Sequence, residues 1–295
     1  MEITVAKSAG FCFGVQRAVD SVYKELEENS GKIYTFGPII HNEQVVEDLN
    51  KRGIEVIDTV EQLKKIKEGT VVIRSHGVAK EIYDILEQQK LKMVDATCPF
   101  VKKIHNIVLD ESNNGKTIII IGNDNHPEVE GIKGWVVGEA IVIKDEEDIE
   151  KIDSFRNESI CIVSQTTFNY NKFKYLVEII RKKGYDITVV NTICNATHVR
   201  QVEAQKISSK VDAMIVIGGK NSSNTQKLYD ICKNECKDTY YIQTVSNLNL
   251  KNVDSLRSIG ITAGASTPKK IIEEVVLNVR DEFWTNVGWI IQDNS

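Results

Sequence analysis

Three times along this chain a cysteine stands in a polar loop directly ahead of a helical pattern, and each time the next polar loop arrives at nearly the same distance. Cys12 (CFGVQRA) is followed after 29 residues by His41, Cys98 (CPFVKKI) after 28 by His126, and Cys194 (CNATHVRQ) after 28 by Ser222. A further 35, 40 and 44 residues bring His76 (IRSHG), Thr166 (VSQTT) and Ser266 (TAGAST). Each interval holds one helix and one strand, so the chain reads as three copies of one α/β unit.

The segments between these marks fit that reading. Apolar, β-branched runs occur at 71–73, 117–122, 160–164, 187–191, 213–219 and 259–264. They alternate with amphipathic helical patterns at 15–28, 61–68, 173–183 and 268–283. Strands apolar throughout their length are buried on both faces, which points to mostly parallel sheets covered by helices. Open α/β sheets bind ligands beyond the carboxyl ends of their strands. Three units around a pseudo-threefold axis would therefore aim all nine marked residues at one central cavity. The expected units are 14–97, 98–193 and 194–283, with 1–13 joining the third and 284–295 forming a tail. In that tail, TNVGWIIQDNS carries no chemistry that can be read, and the native chain is open to extension past Ser295.

Lys plus Arg is 37 and Asp plus Glu is 42, so the net charge of −5 argues against a nucleic-acid or membrane-surface partner. The start, MEITVAKSAGF, lacks a basic segment followed by a long apolar run, and nothing approaches a spanning helix. A cytoplasmic protein is expected, in which the six cysteines stay reduced. No CxxC occurs, which excludes a zinc knuckle or a ferredoxin-type cluster run.

At a helix N-terminus, unpaired N–H groups and the positive end of the dipole favour thiolate and can donate to cluster sulfur. Cys12, Cys98 and Cys194 are thus candidate ligands of a 4Fe-4S cluster. Three thiolates leave one iron open to a substrate oxygen, as a Lewis acid. The alternative is that all three are small buried hydrophobes, although core packing gives no reason for the arrangement to repeat. Cys161 lies in a strand pattern, and Cys232 and Cys236 (CKNEC) share a helical one; packing is the expectation for these three.

GGKNSSNT (218–225) follows a strand and opens a helix, so Ser222, Ser223 and Asn224 present donors at a helix N-terminus, a ready anion site. The P-loop spacing is absent, which favours a small phosphorylated ligand over a nucleoside triphosphate. Ser266, in GASTPKK, repeats the device, and simple helix capping is the alternative for both loops. His41, His76 and His126 occupy equivalent loops after strands, while His105 and His198 fall inside helical patterns with structural or exposed roles. A protonated histidine adds charge to anion binding, and a bound diphosphate would raise its pKa. Glu128 (HPEVEG) is the candidate general acid, its alternative being a solvated glutamate or a helix N-terminal charge.

Taken together, GFCFGV, PIIHN, SHGV, DATCP, HPEVEG, SQTT, KNSSN and TAGAS closely resemble the 4-hydroxy-3-methylbut-2-enyl diphosphate reductase family (IspH, also called LytB). The resemblance runs from Gly10 to about Ser266, and no motif position departs from the family pattern. It implies three α/β domains around a 4Fe-4S cluster held by Cys12, Cys98 and Cys194, with the substrate hydroxyl on the open iron. It further implies diphosphate binding by His41, His76, Ser222, Asn224 and Ser266, with His126 and Ser223 lining the site, Thr166 orienting the hydroxyl and Glu128 delivering protons. The implied reaction is a two-electron, two-proton dehydroxylation to isopentenyl and dimethylallyl diphosphate, the last step of the non-mevalonate isoprenoid pathway.

The chain has neither a second cysteine cluster nor a GxGxxG opening a helix after a strand, so an external electron donor, ferredoxin or flavodoxin, is expected. Lys102, Lys103, Lys269 and Lys270 flank the candidate site as possible docking charges. Two rivals stay open. One is a lyase in which the open iron removes water without net reduction, as in quinolinate synthase-like proteins that resemble the threefold plan. The other is a non-catalytic iron-sulfur sensor of a phosphorylated ligand, in which Glu128 is dispensable.

Overall fold

The computed structural model describes residues 2–155, 158–250 and 256–286. Strand β1 (Glu2–Val5) and helix α1 (Phe13–Glu28) open the chain. Next come β2 (Ile33–Phe36), α2 (Glu43–Lys51), β3 (Ile54–Ile57), α3 (Val60–Lys65), β4 (Thr70–Ile73), α4 (Lys80–Gln88) and β5 (Lys92–Asp95). The pattern repeats with α5 (Pro99–Asn113), β6 (Thr117–Ile121), α6 (Pro127–Lys133), β7 (Ala140–Ile143), a 3-10 segment (Glu146–Phe155), β8 (Ser159–Ser164), α7 (Tyr170–Lys182) and β9 (Asp186–Val189). The last set is α8 (Asn195–Ser208), β10 (Ala213–Ile217), α9 (Ser223–Glu235), β11 (Asp238–Ile242) and, after a short 3-10 turn, β12 (Ser258–Ala263) and α10 (Lys269–Asn286).

These strands form three four-stranded sheets, ordered β3-β2-β4-β5, β7-β6-β8-β9 and β1-β12-β10-β11, and every described pairing is parallel. Counted in chain order, each of the first two sheets runs second, first, third, fourth, and the last does so when read from β11 with β1 counted after β12. In the last sheet the fourth place belongs to β1, which pairs with β12 from Glu2 opposite Ser258 to Val5 opposite Ile261. The α/β class with parallel sheets is therefore as the sequence implied. By contact density the chain divides into two compact units, Cys12–His198, which holds the first two sheets, and Met1–Phe11 with Val199–Ser295, which holds the third.

The second sheet explains the continuous apolar runs. Ile119, Ile121, Ile160 and Ile162 pack into one core, on the face covered by α7, while Ile118, Ile120, Cys161 and Val163 pack on the opposite face against α5 and α6. All eight side chains are fully buried. At about 1.5–3 kcal/mol for each large aliphatic side chain, they make this sheet a rigid support for the loops at its ends. Cys161 is thus a core residue, as are Cys232 and Cys236, which pack with Met214, Val216 and Leu228.

Helix α3 is shorter than its periodicity suggested. It ends at Lys65 because Ile66 turns to extended backbone and enters the core, 8% exposed, ahead of Gly69 at φ +115°.

Candidate active site

In the unit Cys12–His198 all three marked cysteines stand at helix starts. Cys12 caps α1, Cys98 caps α5 with Pro99 in the first helical position, and the Cys194 carbonyl accepts the first bonds of α8 from Thr197 and His198 N–H, at 2.9 and 3.0 Å. Backbone bonds tie two of them to loops beyond a third strand. Cys98 N–H donates to Ser75 O at 2.9 Å after β4, and Cys194 N–H donates to Thr166 O at 3.0 Å after β8. The cysteine of one repeat is thereby fixed beside the polar loop of the repeat before it.

The thiols lie close enough to act on one another. Burial pushes Cys98 up to about 11, with Cys12 and Cys194 adding to the rise and the Phe100 and Val101 amides opposing it. Burial likewise raises Cys194, against the Ala196 and Thr197 amides, with Cys12 and Glu128 adding to the rise. Helix N-termini do favour thiolate here, but desolvation outweighs them, and a positive metal centre would tip the balance to thiolate. Among the described residues no group of three His, Cys, Asp or Glu side chains could hold a single metal ion. Three thiols that act on one another are the donor type an iron-sulfur cluster takes, one thiolate to an iron. The thiol set therefore fits an iron-sulfur cluster.

Beside them stand three imidazoles. His41 and His76 have ring centroids 4.3 Å apart, and His126 lies 5.5 Å from His41 and 5.7 Å from His76. Burial lowers His41 to about 4 and His126 to about 3, and takes His76 well below the usual range. The three are neutral at pH 7 in the ligand-free chain. His126 Nδ1 accepts from Glu128 N–H at 3.1 Å, so the neutral ring carries its proton on Nε2 as a donor. Arg74, which no sequence motif singled out, is a permanent cation whose charge lowers all three histidines. Its position two residues before His76, just after a buried strand, was the available signal.

Glu128 lies in the first turn of α6 and is 2% exposed, so it is not a solvated surface glutamate. Thr166 N–H and Thr166 Oγ1 donate to its two carboxylate oxygens at 2.6 and 2.7 Å. Burial raises its pKa to about 7 despite those bonds. Phe13, next to Cys12, and Phe100, two residues after Cys98, are exposed at 68% and 47%. His105 is buried in α5 and stacks on Trp135 at 5.0 Å, and His198 packs against Tyr170 at 4.5 Å.

The unit containing β10 carries the second set. Ser222 caps α9 through Thr225 N–H and also accepts from Thr225 Oγ1 at 2.9 Å and from Ser266 Oγ at 3.4 Å. Capping is therefore one of its roles. Gly218 and Gly264 let Thr225 in, since a Cβ on either would lie 2.4 or 1.9 Å from Thr225 Oγ1. Asn224 is 3% exposed, yet among the described residues neither polar atom of its amide has a hydrogen-bond partner, a costly state that an anion and its hydroxyl neighbours would relieve. Ser223 is the first residue of α9.

Of the four lysines, Lys102 pairs with Asp95 at 2.5 Å, Lys269 with Glu273 at 3.3 Å and Lys270 with Glu274 at 4.0 Å. No helix among the described residues is long and apolar enough to cross a membrane.

The profile of the LytB protein family matches residues 3–280. A Thermoanaerobacter protein named 4-hydroxy-3-methylbut-2-enyl diphosphate reductase is 48% identical over 95% of this chain and 97% of its own length. The solved reductase from Plasmodium falciparum superposes with a TM-score of 0.89 at 29% identity, covering 94% of this chain and 87% of that one. A second solved structure, described as the terminal enzyme of the non-mevalonate pathway, is 42% identical with a TM-score of 0.69, covering 95% and 100%. The chain belongs to the LytB protein family, that of the 4-hydroxy-3-methylbut-2-enyl diphosphate reductases.

Proposed function

We propose that this chain removes the hydroxyl group of (E)-4-hydroxy-3-methylbut-2-enyl diphosphate with two electrons and two protons, releasing water and giving isopentenyl and dimethylallyl diphosphate. Cys12, Cys98 and Cys194 hold one 4Fe-4S cluster with one iron free of protein thiolate. The observation that carries this reading is the shared neighbourhood of three thiols and one buried carboxyl. Cys98 responds to both other cysteines, and Cys194 to Glu128.

The cluster supplies electrons and, at its open iron, Lewis acidity toward the substrate hydroxyl. Proton delivery falls to Glu128. With a pKa near 7 it is about half protonated at neutral pH, where a general acid works best. Thr166 orients the substrate hydroxyl and fixes the Glu128 carboxyl through two bonds. His126, a donor at Nε2, acts beside them. Diphosphate recognition is assigned to His41, His76, His126, Ser222, Ser223, Asn224 and Ser266. Arg74 supplies fixed positive charge near the histidines.

Each sheet with its helices is taken as one domain, with breaks near 97 and 193 and residues 1–13 joined to the third. Electrons come from a ferredoxin or flavodoxin in the cytoplasm. The exposed Phe13 and Phe100 support this, as aromatic side chains are enriched in binding surfaces and redox encounters bury little area.

Mössbauer spectroscopy of protein loaded anaerobically with enriched iron tests the ligand set. One iron distinct from the other three, and altered alone by substrate, is expected. Four equivalent irons unmoved by substrate would overturn it.

A further inference from the structure

The three helices that begin at a cysteine differ in their first turns. Position two after the cysteine is Gly14 in α1 but Phe100 in α5 and Ala196 in α8. Position five is Arg17 in α1, where the others have Lys103 and Val199. Gly14 is buried, and a Cβ built on it would lie 2.5 Å from Cys98 Sγ and 3.1 Å from Cys98 Cβ. The absent side chain is what allows the first turn of α1 to reach the thiol of Cys98.

One turn further on, the same helix face takes hold of the chain leading into Cys98. Arg17 Nη1 donates to Thr97 O at 2.9 Å and Nη2 to Asp95 O at 3.1 Å. Both acceptors are main-chain carbonyls, so the guanidinium grips backbone in a planar fork that lysine cannot reproduce. On its other side the same segment is fixed by Cys98 N–H to Ser75 O and by Ala96 N–H to Ile73 O at 3.2 Å. Cys12 is the cap of the helix that carries both Gly14 and Arg17.

We infer that Gly14 and Arg17 are positioning residues that set the separation of Cys12 and Cys98 before any cluster is bound. The inference rests on the proposed cluster ligands only for its consequence, which is slower loss of iron. Neither residue is among those assigned to substrate binding or proton delivery. No equivalent of the Gly14–Arg17 pair exists in α5 or α8, so the bracket belongs to the Cys12–Cys98 pair.

The test uses the full chain in two forms. In the iron-free protein with Cys194→Ala, dibromobimane, which fluoresces only after bonding two thiols, reports how readily Cys12 and Cys98 are bridged. In loaded protein with all cysteines present, a chelator reports the rate of iron loss. Arg17→Ala should slow bridging and speed iron loss by about 10- to 100-fold, the range for partners that orient metal ligands. Arg17→Lys, able to keep one contact, should recover part of both. Gly14→Ala, which pushes Cys98 Sγ aside, should act in the same direction and stands in if Arg17→Ala does not fold. Unchanged bridging in Arg17→Ala and Gly14→Ala would overturn the inference. Retention of the loaded cluster by serine variants of Cys12 or Cys98 would instead reject the ligand assignment and leave the bridging result standing.

Discussion

Thr166 joins the carboxyl of Glu128 to the loop of Cys194. Its N–H and hydroxyl donate to the two oxygens of Glu128 at 2.6 and 2.7 Å, while its carbonyl accepts from Cys194 N–H at 3.0 Å. A candidate acid and a candidate metal ligand are thus held by one residue, and the strength of that hold on Glu128 can be measured.

Glu128→Gln keeps the shape and can still accept the Thr166 amide. Substrate should bind with nearly unchanged affinity while kcat falls by about 10²- to 10⁴-fold, the loss expected for a general acid. Steady-state turnover and calorimetric binding check this, and normal turnover would remove Glu128 from proton delivery.

Glu128 also links stability to pH. Its pKa rises from 4.5 to about 7 on folding, so the folded chain holds the proton more tightly than the unfolded chain. That stabilisation is complete below about pH 4.5 and is lost as pH rises through 7. Glu128→Gln removes the titration, so its stability relative to wild type should grow between pH 5 and 8, by roughly 2–4 kcal/mol. Denaturant unfolding at the two pH values measures it.

Thr166→Val deletes the hydroxyl that lowers the Glu128 pKa and leaves the amide bond. A hydrogen bond to a charged group contributes about 1.5–3 kcal/mol, so the alkaline limb of the kcat profile should move up by about one pH unit or more. An unmoved limb would show that the observed titration belongs to another group.

The histidine cluster predicts proton uptake on binding. His41, His76 and His126 are neutral in the free chain at pH 7, because burial and Arg74 lower them. A bound diphosphate favours their charged forms, so binding should take up protons and weaken as pH rises. Calorimetry in buffers of different ionisation enthalpy reads the number directly.

Cysteine substitutions should separate Cys12, Cys98 and Cys194 from Cys161 and Cys232. Alanine at Cys12, Cys98 or Cys194 should lower iron content and abolish turnover. Alanine at Cys161 or Cys232, both fully buried in cores, should keep the iron and cost about 1 kcal/mol of stability.

The sequence made five of the six inner strands legible because both faces are covered, as with the four isoleucines of β6, and missed the sixth, β2, although its four residues IYTF are all buried. It hid most of the outer ones. β1, β3, β5 and β11 lie at sheet edges and are short and partly polar, as in KMVD of β5, whose first two residues are exposed, and β7 (AIVI) is an apolar edge strand only four residues long. The recurring cysteines picked out helix starts because a loop, a cap and a helix are local events. Arg74 and Arg17 escaped notice because an arginine gains meaning only from what folds around it, here three imidazoles and two carbonyls far away in sequence. The raised pKa values of Cys98 and Cys194 ran against expectation for a related reason, since burial is a tertiary property.

The most direct test of the reductase account is an electron count under anaerobic conditions. Cluster-loaded protein, reduced by dithionite through a viologen mediator, is given hydroxymethylbutenyl diphosphate, and oxidised mediator is measured against isoprenoid diphosphate formed. Two electrons per product are predicted. Product formed without electron consumption, or no product from fully loaded protein, would contradict it.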